Sequence, residues 1–431
     1  MPAVHPISDL RRTPLWAILA FTFLNSIGSA VVYSGIFFLA KSQYSFTQTQ
    51  NFALGLLYGL TYIPGAIAIG PVLRRIAGVG AAPRHVLAFI MLSMTLLCWL
   101  PWAAARSGVS GAWPIWLTVG LYSPLSGALW PIVESFLAGG RSEHELRSAT
   151  GKFNVTWSSS LVVTLLAMSP LVESHALLVL QGLGVVHLSC TLVLLAFAPV
   201  PAEHTHESRP ARPVVYKQLL SFLRLMLPVA FMFISTLSPY LPSALQRAGI
   251  EAGWATAATA TWLFARVVTF FAMERSHAWH GRWSTPVFGG LVLAVSFAWF
   301  VLLPPLAGGA PGLILMLVGL AGFGVGVGVI YAAALYYAME VGDSGVDAGG
   351  MHETLIGIGY CAGPLCGLLA AGAGSAGIVA PKSQSLLMLV LVLAVALIVG
   401  LIAAAYSRRV GRRTVPAGTP TETAASRVSV D

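Results

Sequence analysis

An all-α integral membrane protein, with twelve transmembrane helices in two pseudo-symmetric six-helix bundles, is the fold class this sequence predicts. Three observations predict it. Of the 431 residues, 57% are hydrophobic and only 9% charged, too little polar surface for a soluble protein of this length. Apolar runs of about 20 residues, long enough to cross a bilayer as helices, recur along the whole chain. A polar, proline-rich segment, PVPAEHTHESRPARPV at 199–214, separates six such runs from six.

The first run, 14–38, is too long and too polar at its far end for a cleaved signal peptide, so it is read as the first span. It places Asn25, Ser29 and Tyr33 on one helical face. The second, 47–70, brings Asn51, Tyr58 and Tyr62, and the third spans 84–105. The fourth, 113–137, lines up Tyr122, Ser126 and Trp130 ahead of Glu134. Asn154, Trp157 and Ser158 lie in the fifth, 148–172. His187 sits at the centre of the sixth, 176–198.

In the second half, 217–242 carries Arg224, Ser235 and Ser238. Thr259, Trp262 and Arg266 share one face of the run 252–275. After the ninth run, 285–306, comes 311–340, which holds Tyr331 and ends on Glu340. Its GFGVGVG (322–328) superficially suggests a nucleotide loop, but that motif follows a strand, and this one lies inside an apolar run and reads as helix packing. The eleventh, 350–373, opens with His352 and Glu353 and continues with Gly357, Tyr360 and Pro364 along one stripe. The twelfth is 384–406.

The halves repeat. An offset of 206 lays the first, second, fourth and sixth spans over the seventh, eighth, tenth and twelfth, and Glu134 over Glu340. An offset of 199 lays GKFN (151–154) over GMHE (350–353), so neutral Asn154 matches Glu353. The expected organisation is a short terminus 1–13, a bundle 14–198, a linker 199–216, a bundle 217–406 and a disordered tail 407–431.

The net charge of +9 does not point to nucleic acid, because it is spread over alternate loops rather than gathered on one face. Of the Lys and Arg, only Lys41, Arg106, Arg247 and Lys382 fall on the side opposite the termini, and Arg224 and Arg266 fall within spans. This positive-inside bias sets both termini in the cytoplasm of a plasma (inner) membrane protein. Cys98, Cys190, Cys361 and Cys366 all lie in spans and read as packing residues, not as a disulfide framework or metal site. No cofactor is expected.

Local motifs then carry a resemblance. After the second span, GPVLRRIAG (70–78) resembles the loop motif of the major facilitator superfamily: glycine, then acid–arginine, then glycine. Arg75 matches the family arginine, Arg74 stands where the family has an aspartate, and Gly78 comes one place late. HGRW (280–283), with Arg282, is a weaker second copy. The resemblance covers nearly everything from 14 to 406. It implies alternating access around a site between the bundles. It also implies that the acids ending the fourth and tenth spans close the cytoplasmic face, Glu134 with Arg75 and Glu340 with Arg275 or Arg282.

The chemistry is sought where a charge is buried, since a charge at mid-bilayer costs about 2.5–3.5 kcal/mol on insertion scales. Glu353 is the expected proton carrier, with His352, about 100° around the helix, the weaker one. Arg266 beside Trp262 suits an anionic or polar solute, or else serves as a structural partner of Glu353. Asn25, Tyr33, Tyr122, Asn154, Trp157, Trp262, Arg266, Tyr331 and Tyr360 are the expected solute contacts. His187 is expected to be a hydrogen-bonded structural histidine. The reading is a secondary transporter, working as a monomer in the lipid bilayer, that moves a small polar or organic solute, by proton symport in the first instance. Efflux by antiport is the alternative, although the fifth span lacks the glycine–proline motif of family antiporters. A non-transporting receptor or a membrane enzyme is a further rival; the scattered histidines argue against the enzyme.

Overall fold

A computed structural model describes residues 12–141, 143–202, 213–341 and 346–414. The first eleven residues, most of the linker with His204 and His206, and the tail beyond 414 lie outside them. Among the described residues all regular structure is helical, in twelve long helices. They are α1 (Leu15–Tyr44), α2 (Gln48–Ala77), α3 (Pro83–Arg106), α4 (Trp113–Ala138), α5 (Glu143–Met168) and α6 (Ala176–Val193). The rest are α7 (Val214–Arg247), α8 (Ala252–Arg275), α9 (Ser284–Leu302), α10 (Gly309–Val341), α11 (Val346–Ser375) and α12 (Gln384–Thr414). Ten are long and apolar enough to cross a membrane; α4 and α5 are not among them. α5 is diluted by Lys152, Asn154 and a run of serines, and α4 by Pro, Gly, Ser and Tyr.

The sequence marks the start of α2 with a side-chain cap. Thr47 and Gln50 form a capping box at the start of α2: the Gln50 N–H donates to Thr47 Oγ1 (3.2 Å) and the Thr47 N–H to Gln50 Oε1 (2.9 Å). Several ends run past expectation: α2 continues to Ala77 and α7 to Arg247. α1 runs on to Tyr44 through a π-helical stretch, Ala30–Gly35, that contains Tyr33. α12 continues to Thr414, so the first residues of the expected disordered tail are helical.

Helix pairing follows a pattern. α1 packs on α5 and α6, α2 on α4, and α3 on α4 and α6. α7 packs on α11 and α12, α8 on α10, and α9 on α10 and α12. The GFGVGVG run is the clamp of the second set. A Cβ at Gly326 would come 2.6 Å from Leu293 N of α9, and one at Gly328 2.8 Å from Thr269 Cβ of α8. Only glycine lets α10 approach both neighbours this closely.

The two sets meet chiefly through α2 against α11 and α5 against α8. Along the first seam a Cβ at Gly59 would lie 2.6 Å from the Cys361 backbone nitrogen, and one at Gly350 2.7 Å from the Ala66 carbonyl. Further bonds tie the sets together at both ends. On the face that carries the termini, Arg74 pairs with Asp347 (2.7 Å), and Arg147 bonds to Glu340. On the opposite face, Lys41 donates to Gln246 Oε1 (2.6 Å), Arg247 to Gln48 Oε1 (3.3 Å), and the Gly253 N–H to Glu173 Oε1 (2.8 Å). Polar contacts therefore join the two sets at both faces.

Candidate functional site

Between these two layers of polar contacts lies an aromatic cluster drawn from both helix sets. Tyr33 of α1, Tyr58 and Tyr62 of α2, and Tyr360 of α11 are all buried. The Tyr360 ring centroid is 4.4 Å from that of Tyr33, 5.3 Å from Tyr58 and 5.2 Å from Tyr62. Phe231 of α7 extends the cluster at 5.3 Å from Tyr360 and 6.1 Å from Tyr331 of α10. Tyr331 then meets Trp157 of α5 at 5.5 Å and Phe270 of α8 at 5.7 Å. Edge-on and tilted contacts at these separations are the favoured aromatic geometries.

The π-helical stretch of α1 brings Tyr33 into this cluster. Its one-residue surplus rotates the side chains that follow it, and such stretches recur at functional sites. The Tyr33 hydroxyl has no hydrogen-bond partner. On α11 the glycines at 359 and 363 seat the helix against α7, where Ser235 Oγ donates to the Gly359 carbonyl (2.8 Å), so that Tyr360 faces α1 and α2.

Two charged groups flank the aromatic rings. Glu353 is 5% exposed and accepts a hydrogen bond from the Tyr62 hydroxyl, across the seam between α11 and α2. Glu134 of α4 lies within electrostatic range of Glu353 and points at α11, where a Cβ at Gly349 would sit 3.0 Å from its Oε2. Arg266 is 3% exposed. Its guanidinium lies 4.4 Å from the Trp157 ring centroid and 4.9 Å from that of Trp262, and its Nε donates to Ser158 Oγ (3.0 Å). Two indole faces offset part of the cost of burying the cation. Nη2 of Arg266 has no partner, and among the described residues Arg266 makes no ion pair.

The expected site residues fall into three groups. Tyr33, Trp157, Trp262, Arg266, Tyr331, Tyr360 and Glu353 converge on the seam. His352 also faces it, with its ring 6.2 Å from Tyr331, because the cluster wraps far enough around α11 to reach a residue a quarter-turn away. Asn154 sits one step back, accepting from Trp157 Nε1 (3.1 Å), and Asn25 is buried on α1 with Oδ1 unpartnered. Tyr122 is directed elsewhere: its hydroxyl hydrogen-bonds His187 Nε2 on α6 (3.0 Å), the kind of bond expected of a structural histidine there. Arg266 does not pair with Glu353, whose hydrogen-bond partner is Tyr62.

The closing pairs differ from those the loop motif implied. Arg75 and Arg282 are exposed, and neither pairs with Glu134 or Glu340. Glu340 takes Arg147 of α5 instead. Arg74, the basic residue standing in the acid position of the motif, finds its complement in Asp347 at the start of α11. Phe231, Phe270, Arg147 and Asp347 were not legible as site residues. A crevice of about 300 Å3 lined by Gln43, Tyr44, Pro101, Val109 and Pro114 lies at the opposite face of the first helix set, away from the charged groups.

No protein-family model and no curated protein sequence matches the chain. Among solved structures, the chain is similar to a bacterial homolog of the human lysosomal transporter Spinster, determined in an inward-facing and unoccupied conformation. The match has a TM-score of 0.60 at 14% identity and covers 94% of this chain and 98% of that one. By its backbone, then, this multi-pass helical chain has the fold of a membrane transporter.

Proposed function

We propose that the chain is a twelve-span secondary transporter of the major facilitator type, with bundles at 14–198 and 217–406, that carries a small polar or organic solute by alternating access. The pairing pattern supports two equivalent bundles. Contacts of α1 with α5 and α6, α2 with α4, and α3 with α4 and α6 recur as α7 with α11 and α12, α8 with α10, and α9 with α10 and α12. The seams α2–α11 and α5–α8 exchange under the same repeat. The termini face is assigned to the cytoplasm of the plasma (inner) membrane on the positive-inside bias.

One observation carries the reading: buried charged and aromatic groups converge between the two bundles, and separate sets of breakable polar contacts join the bundles at each end. That is the anatomy of a site with two gates. Glu353 is assigned the coupling proton, because it is buried at the seam and bonded across it to Tyr62. A proton there changes a contact between the bundles, which is what coupling requires.

Counterflow tests the reading. Purified protein is screened by thermal shift for a stabilising metabolite, which is then presented in labelled form outside proteoliposomes loaded with the unlabelled compound. Accumulation of label above the protein-free control is expected. Binding without counterflow would point instead to a transporter-shaped receptor.

A further inference from the structure

Arg266 is incompletely satisfied in the seam. A guanidinium carries five donors and cannot shed its charge in a protein. Here Nε is used by Ser158, the two faces are covered by Trp157 and Trp262, and Nη2 is unpartnered at 3% residue exposure. The groups within its electrostatic range are the phenols of Tyr331, Tyr360 and Tyr33, none of them an acid at neutral pH. The buried carboxyl at the seam, Glu353, is bonded to Tyr62 instead. A buried cation with no counter-ion is held at a cost, and an arriving anion removes that cost.

We propose that Arg266 is the recognition point for the carboxylate of a small aromatic monoanion. The proposal rests on reading the seam as the solute site. The planar guanidinium fork suits a carboxylate, and one free edge accepts one such group. The guanidinium lies 4.4 Å from the Trp157 ring and 5.9 Å from that of Phe270, and both rings pack on Tyr331, an aromatic surrounding that suits a flat apolar body. The unpartnered Tyr33 hydroxyl adds one donor. A cationic solute would meet the uncompensated charge of Arg266. A dianion would bring a second negative charge toward the two carboxyls of the seam, Glu353 and Glu134.

The test is thermal-shift titration of the purified full-length protein with benzoate, phenylacetate and 4-hydroxyphenylacetate, each against its amide, and with phenethylamine as the cation. At least one acid is expected to raise the melting temperature, with its amide weaker by about tenfold or more and phenethylamine inactive. Arg266→Gln is expected to erase the difference between acid and amide. Should that variant fail to fold, the acid–amide comparison on the unaltered protein decides alone. An amide or amine that binds as well as the acid overturns the proposal, and so does a series in which no acid binds. Counterflow keeps the two readings apart. An acid that binds but is not exchanged leaves the recognition intact and defeats transport, whereas a neutral or cationic solute that is exchanged does the reverse.

Discussion

Replacing Arg147 with alanine takes the guanidinium away from Glu340, whose side chain is 5% exposed, on the face that carries the termini. Breaking a fully buried pair costs about 3–5 kcal/mol, and an exposed pair is worth about 0–1 kcal/mol. Arg147 itself is 41% exposed, so water reaches its side of the contact. The expected loss lies between those limits, at about 2 kcal/mol. It falls on the state closed at this face, which is the state that makes the contact. At about 1.4 kcal/mol per decade, the ratio of open to closed molecules rises by about 30-fold. Arg74 and Asp347 make the contrasting pair, because both are mostly exposed, 63% and 69%. Loss of about 0.5 kcal/mol there shifts the ratio by only about twofold. Spin labels at Arg75 and Arg282, which are exposed on the two helix sets, report the opening as a distance distribution in a variant lacking the four native cysteines. Arg147→Ala is expected to populate a longer distance that Arg74→Ala barely populates. Equal effects of the two variants, or no effect of either, would refute the use of burial to rank the gates.

Three other outcomes are expected. Gly59→Ala lowers the melting temperature, because the added Cβ meets the Tyr360 and Cys361 backbone at 2.6 Å and overpacking costs about 1–3 kcal/mol, whereas Gly182→Ala in open space does not. With a ligand in hand, Glu353→Gln abolishes uptake driven by a pH gradient but spares counterflow, and Tyr62→Phe weakens the same uptake; unchanged pH-driven uptake in Glu353→Gln removes the coupling assignment. His280, in the loop before α9, is pushed down to about 4 by burial against its neighbours, with His277 and Arg147 adding to the effect. Its ordinary value is about 6.5, so the unfolded chain binds more protons between about pH 6.5 and pH 4, and stability falls as pH drops through that window. Melting curves of His280→Asn are expected to show a shallower acid dependence than those of the unaltered protein.

Much of the site was legible because the membrane makes charge conspicuous. Arg266 and Glu353 stood out in apolar runs, and both are buried at the seam. The stripe through Tyr360 and the tyrosines of α2 followed from helical spacing alone, and these rings do meet. That Tyr122 turns toward His187 of α6 was not legible, because spacing says which residues share a face and not which neighbour that face meets. Phe231 and Phe270 were invisible, since phenylalanine in an apolar run is the default. The ion pairs at the termini face differ from the implied ones for another reason. Glu340 has several arginines in nearby polar segments, and only the tertiary fold places Arg147 of α5 beside it. The swapped charge at Arg74 was visible, but its complement at Asp347, 273 residues along the chain, was not. The π-helical stretch of α1 left no mark in the hydropathy pattern, although it carries Tyr33 into the cluster.

The central claim is that solute crosses between two bundles that must part at each face in turn. It is tested most directly by tying the bundles together at one face. Lys41 and Gln246, which meet at 2.6 Å on the face opposite the termini, are replaced by cysteines in a variant lacking the native four. A reducible bis-thiosulfonate then links the pair in proteoliposomes, and counterflow of labelled solute is measured before linking, after linking and after reduction. The account predicts exchange, then loss of exchange, then its recovery. Exchange that continues at full rate with the link complete would contradict it.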